Sequence, residues 1–159
     1  MRYAGLIKND FSAGPGVCLT FFVQGCPFHC PGCHNPDSWD FDGGKEFTPG
    51  VLDEIITGLT ANGLSRPLCI MGGEPLCDEN LFLTALIIRT VKDKLPNTKI
   101  YIWTGFLYEE LVARSSSPHL RAVLENTDVI IDGPYKQELR DVTLPMRGSS
   151  NQRIIELTK

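Results

Sequence analysis

Apolar positions along the chain follow two alternating periods. Cys18-Leu19-Thr20-Phe21-Phe22-Val23 is β-branched, aromatic and almost continuously apolar, as expected of a strand buried on both faces of a parallel sheet. Residues 67–71, 99–103 and 128–131 carry the same signature. Between these runs the spacing becomes helical. Val51, Leu52, Ile55, Ile56 and Leu59 recur on one face, with Thr48 as N-cap, Pro49 at the first position and Asn62-Gly63 as the stop. Leu81, Phe82, Ala85 and Leu86 continue a second helix, capped by Asp78 and halted at Pro96. Residues 107–114 and 117–125 predict two shorter helices, the latter with Ser117 as cap and Pro118 at its start. Residues 3–7 read as a short edge strand, 12–16 as a turn, and 37–47 as a polar stretch without periodicity. A polar loop over 147–153 and a last short strand over 154–157 close the chain.

Strands alternating with helices predict an α/β fold with a mainly parallel sheet. With 159 residues, 42% of them hydrophobic and 21% charged, the chain is expected to form a single domain spanning 1–159. A complete eightfold β/α barrel takes ~250 residues, so a barrel-related fold of this length has to be truncated. The net charge of −4 and the scattering of Lys and Arg argue against nucleic acid as a partner. No apolar run reaches the ~18 residues of a membrane span, and the first residues do not start a signal peptide, so the expected location is cytoplasmic. Cys18, Cys69 and Cys77 sit in or beside apolar runs and are expected to act as small buried hydrophobes.

The other three cysteines concentrate the chemistry. Cys26, Cys30 and Cys33 fall within the loop Gly25-Cys26-Pro27-Phe28-His29-Cys30-Pro31-Gly32-Cys33-His34, which follows the first buried strand. Such a loop leaves the carboxyl end of a strand, where α/β sheets place their ligands. Three thiolates there can hold a metal centre. One possibility is an iron–sulfur cluster with one iron left open; another is a structural zinc site completed by His29 or His34. Disulfides between loop neighbours would be strained.

A second motif bears on that choice. Gly72-Gly73-Glu74-Pro75 closes the next strand, where paired glycines bring backbone carbonyls close to a ligand and a carboxylate can receive an ammonium group. A zinc loop gives no reason for such a turn one β-α-β unit later.

Together, Cys-x3-Cys-x2-Cys and Gly-Gly-Glu-Pro resemble the radical S-adenosylmethionine enzymes. Gly14-Pro15-Gly16, Trp39, Trp103-Thr104-Gly105, Asp132-Gly133-Pro134 and Arg147-Gly148-Ser149-Ser150-Asn151-Gln152 narrow the resemblance, over essentially the whole chain, to the activating proteins of anaerobic ribonucleoside-triphosphate reductase. His34-Asn35-Pro36 also resembles the activase of pyruvate formate-lyase, which stands as the alternative enzyme; a zinc-stabilised binding module is the non-enzyme alternative. The resemblance implies a compact, truncated β/α barrel and a 4Fe-4S cluster on Cys26, Cys30 and Cys33 with one open iron. It implies S-adenosylmethionine held by Gly32, Cys33, His34, Gly72, Gly73, Glu74 and Asp132, although Asp132 suits a capping or turn role equally well. Space at Gly73 would be needed by the cofactor. No side chain is implied as catalytic, because cluster and cofactor carry the chemistry: reductive cleavage to a 5′-deoxyadenosyl radical that takes hydrogen from a glycine of the reductase. A reduced flavodoxin or ferredoxin is the implied electron donor. Trp39 and Trp103 read as packing residues.

Overall fold

The computed structural model describes residues 1–157. Among these residues seven strands and four α-helices follow in the order β1 (Arg2–Asp10), β2 (Cys18–Val23), β3 (Lys45–Glu46), α1 (Pro49–Leu59), β4 (Leu68–Gly72), α2 (Asp78–Lys94), β5 (Ile100–Trp103), α3 (Tyr108–Ala113), α4 (Pro118–Asn126), β6 (Val129–Asp132) and β7 (Arg153–Glu156). They form one open sheet in the order β3-β1-β2-β4-β5-β6-β7. The four central strands, β2, β4, β5 and β6, are parallel. The flanking pairings, β1 with β2, β1 with β3 and β6 with β7, are antiparallel. The sheet is thus parallel at its centre with antiparallel strands at both sides: a mixed α/β fold around a mostly parallel sheet, as expected, that stays open.

The central strands advance in one direction, and each parallel step needs a crossover helix. Crossovers of constant hand along such a row deposit their helices on one face. Accordingly, Leu19, Phe21, Ile70, Ile100, Ile102 and Ile130 from alternate strand positions pack with Ile55 and Leu59 of α1, Ile87 and Ile88 of α2, Leu111 of α3 and Leu120 of α4. Most of these side chains are fully buried, each stabilising the fold by roughly 1.5–3 kcal/mol. On the opposite face, Cys18 and Cys69 form a small separate cluster with Ala13, beside partly buried Met71, Tyr101 and Trp103. Cys18, Cys69 and Cys77 are all buried free thiols, as expected of small hydrophobes.

Several local expectations are revised. The first strand runs for nine residues and lies between β2 and β3, so it is not an edge at its start. Its neighbour β3 is only two exposed, charged residues within the polar stretch 37–47, and pairs as Arg2 with Glu46 and Tyr3 with Lys45. Helix α1 ends at Leu59, and Asn62 and Gly63 belong to a separate 3-10 turn with φ of 59° and 70°. Cys77, not Asp78, occupies the N-cap of α2; Asp78 instead accepts from Arg114 Nη2 at 2.7 Å. Ser117 does cap α4, its Oγ accepting from Leu120 N. Among the described residues no helix is long and apolar enough to cross a membrane.

Candidate active site

The four parallel strands end at one rim of the sheet. There Val23 leads into the cysteine loop, Gly72 into Gly73-Glu74, Trp103 into Thr104-Gly105, and Asp132 into Gly133-Pro134. A single cleft at this rim is lined by Cys26, Cys30 and Cys33, by His34, by Gly72, Gly73 and Glu74, and by Trp103, Thr104, Gly105, Gly133, Tyr135, Gly148 and Gln152. Segments more than a hundred residues apart in sequence thereby share one cavity.

The cysteine loop is closed at its root. Gly25 N donates to Ser38 O at 2.7 Å and Cys26 N to Trp39 O at 3.1 Å. Gln24 is buried, and its Nε2 donates to the carbonyls of Asp37 and Asp40. His29, at φ 47°, stacks on Trp39 with ring centroids 4.7 Å apart, and Phe28 meets Phe106 edge to face at 4.9 Å. Gly32 has φ of 76°, a left-handed conformation that favours glycine, and the exposed Gln137 side chain lies over the position a Cβ would take.

Burial pushes the Cys26 thiol above its ordinary pKa, while the N–H groups of Phe28 and His29 pull it down. Burial likewise raises Cys30, opposed by the N–H of Tyr135. Asn35 N donates to Cys33 Sγ at 3.4 Å. Each sulfur therefore faces at least one backbone N–H, which suits thiolates and cluster ligands. Among the described residues no three His, Cys, Asp or Glu side chains are arranged around one ion-sized point. A four-iron cluster asks for one thiolate per iron, spread over the cluster, and three free thiols on one cleft wall fit that demand.

The Gly-Gly-Glu turn is built into the same wall. Gly72, at φ 106°, has no room for a Cβ beside Phe22 and Val23. Gly73 N donates to Val23 O at 2.9 Å and Glu74 N to Gly25 O at 2.8 Å. A Cβ on Gly73 would run into the backbone of Gly25. The expectation that Gly73 leaves space for a cofactor is corrected accordingly: its missing side chain admits the root of the cysteine loop, and a larger residue would displace that loop. Glu74 is buried, with Oε1 accepting from Leu76 N and Thr104 Oγ1 and Oε2 from Gly105 N. Burial pushes its carboxyl up to about 7, against the pull of those donors. Glu74 thus ties the ends of β4 and β5 together while also lining the cleft.

Asp132 is fully buried and is not part of the cleft lining. Its Oδ1 accepts from Arg153 Nε at 3.0 Å, and its Oδ2 from Arg153 Nη2 and from Tyr108 N, the first residue of α3. That is the capping role, joined to an ion pair across β6 and β7. His34 is exposed, with its ring 5.6 Å from that of Tyr135. Trp103 lines the cleft and donates Nε1 to Met146 O at 2.8 Å. In the polar loop, Gly148 and Gln152 reach the cleft; Gln152 Oε1 accepts from Gly148 N, and its Nε2 donates to Gly133 O. Sequence reasoning overlooked Gln24, Asn80 and Tyr135. Only their burial or their distant partners mark them, and neither is visible in local spacing.

A family model described as a 4Fe-4S single cluster domain matches residues 12–155. An anaerobic ribonucleoside-triphosphate reductase-activating protein of Escherichia coli (strain K12) is 34% identical over 158 residues, covering 99% of each chain. The protein of that name from Vibrio cholerae is 35% identical over 159 residues, again covering 99% of each. One from Enterobacteria phage T4 is 33% identical over 154 residues, covering 97% of this chain and 93% of the phage protein.

Proposed function

The chain belongs to the anaerobic ribonucleoside-triphosphate reductase-activating proteins, and from that premise we propose that it activates such a reductase as a radical S-adenosylmethionine oxidoreductase. One observation carries the reading: the three thiols of a single loop and the Gly-Gly-Glu turn meet in one cleft at the carboxyl ends of the parallel strands. The open sheet is read as a truncated β/α barrel, acting as one cytoplasmic domain. Cys26, Cys30 and Cys33 would hold three irons of a 4Fe-4S cluster and leave the fourth for the cofactor. The cluster would supply the electron that cleaves S-adenosylmethionine reductively, so that a Cα hydrogen could be taken from a glycine of the reductase.

The chain's own residues position and exclude. Gly72, Gly73 and Glu74 would hold the amino-acid end of the cofactor, and Cys33 and His34 line the same cleft from the loop side, with Gly32 between the second and third cysteines. Asp132 is left out of that set because Arg153 and Tyr108 N already occupy its carboxylate. Phe28, Met71, Trp103 and Tyr135 give the cleft its apolar walls, which limit the entry of water to the reacting atoms. A reduced flavodoxin or ferredoxin serves as electron donor.

The test is anaerobic reconstitution with iron and sulfide, followed by mixing with an anaerobic ribonucleoside-triphosphate reductase, reductant and S-adenosylmethionine. Electron paramagnetic resonance should show a glycyl radical on the reductase, and deuterium at the target Cα should appear in 5′-deoxyadenosine. A radical formed on pyruvate formate-lyase but not on the reductase would transfer the assignment to that activase. Stoichiometric zinc with no iron uptake would overturn the cluster itself.

A further inference from the structure

The cysteine loop and the Gly-Gly-Glu turn are joined by a side chain that belongs to neither motif. Asn80 lies in the first turn of α2 and is 5% exposed. Its Nδ2 donates twice, to Gly25 O at 3.1 Å and to Glu74 O at 3.0 Å. Both acceptors matter. Gly25 immediately precedes Cys26, and its carbonyl also accepts from Glu74 N. Glu74 O also accepts from Cys77 Sγ at 3.2 Å, while the Glu74 carboxylate reaches Thr104 and Gly105. A continuous buried chain of hydrogen bonds therefore runs from the root of the cysteine loop through Asn80 and Glu74 to the end of β5. Asn80 is the only group in that chain anchored in a long helix, whose aliphatic face is locked into the main core.

We propose that Asn80 is a positioning residue for the reaction: its carboxamide sets the distance between the cluster-bearing loop and the turn that receives the amino-acid end of S-adenosylmethionine. The inference rests on the radical S-adenosylmethionine reading. One loop fixes the irons and the other fixes the cofactor, so a small slip between them misplaces the sulfonium even when both halves remain intact. Two N–H donors on one planar group hold two carbonyls in a fixed relation, which a backbone contact alone holds less firmly. Removing the carboxamide is tolerable for folding, because each carbonyl keeps a second donor, Glu74 N for Gly25 O and Cys77 Sγ for Glu74 O.

The experiment compares the reconstituted parent protein with Asn80→Leu, which keeps the branched shape and removes the donors, and Asn80→Ser, which retains one short donor. Iron and sulfide content, S-adenosylmethionine affinity by anaerobic titration, and the change in the reduced cluster's paramagnetic spectrum on adding S-adenosylmethionine are measured for all three. Asn80→Leu is expected to keep its cluster but bind S-adenosylmethionine about tenfold more weakly, the loss usual for groups that orient ligands, with Asn80→Ser between the two. The spectral change on cofactor addition should diminish in the same order. Affinity and spectrum unchanged in Asn80→Leu would overturn the proposal, as would unfolding of both variants, which would make Asn80 a residue of the fold alone. Absence of S-adenosylmethionine binding in the parent protein would overturn the underlying reading instead, whatever the variants do.

Discussion

The two faces of the central sheet are made from the same strands and do opposite work. Ile70 faces the helices with no exposed surface, whereas its neighbour Met71 points the other way and lines the cleft. The same alternation separates Ile102 from Trp103. Helices seal one face with branched aliphatic side chains; loops only partly cover the other, with thiols, aromatics and glycines. Because the parallel strands advance in one direction, crossovers do not return to the second face, and ligand space remains there without a cavity being cut into the core. The main core and the cleft thus lie on opposite sides of one sheet.

The largest effect that could break this contrast lies in the thiols. Cys26→Ala, Cys30→Ala or Cys33→Ala, on the cleft, should each abolish stable cluster assembly, read as loss of bound iron and sulfide. Cys18→Ala and Cys69→Ala, buried under Ala13, should leave iron content unchanged and lower stability by about 1 kcal/mol. Equal iron loss from both groups would show that the thiols are not divided between site and packing.

Next in size is the contrast within β4. Ile70→Ala should lower unfolding free energy by about 2–5 kcal/mol, the usual range for emptying an aliphatic core site, with S-adenosylmethionine affinity little altered. Met71→Ala should lower it by about 1 kcal/mol, since the side chain is only partly buried, yet weaken cofactor binding. Denaturant melts and anaerobic titration on the same two variants decide the matter. Equal stability losses, or weaker binding in the Ile70 variant alone, would erase the proposed division of labour.

A pH-dependent effect sharpens the contrast at the rim, where the faces meet. Burial raises the Glu74 carboxyl from 4.5 to about 7, so the folded chain holds that proton more tightly than the unfolded chain. Its contribution to stability is therefore complete below pH 4.5 and is lost as pH rises through about 7. Glu74→Gln cannot titrate, and the difference in stability between parent and variant should change with pH across that window. A constant difference from pH 4.5 to 7 would mean that Glu74 is ionised throughout. A constant offset of about 1–3 kcal/mol is expected in addition, because the Gln amide cannot accept from Gly105 N while also satisfying Thr104 and Leu76.

Legibility of the fold followed the range of the interactions. β2 was predicted to the residue, and α1, α2 and α4 nearly so, because their burial periods and caps are written in adjacent positions. β3 was missed because Lys45 and Glu46 carry no apolar period and become a strand only by pairing with Arg2 and Tyr3. Local spacing does not show that a Cβ on Gly73 would meet Gly25, or that the Glu74 carboxylate reaches Thr104 and Gly105 at the end of β5.

By itself, the sequence determined the alternation of strands and helices, the cysteine loop and the glycine turn at strand ends, and the family to which they belong. All of these depend on the order and spacing of near neighbours. The packed fold alone sets which side of each strand faces the cleft, that Asp132 pairs with Arg153 and Tyr108, and that Asn80 joins Gly25 to Glu74. Those choices rest on hydrogen bonds made across the packed sheet rim, between groups whose proximity exists only after the chain has closed on itself.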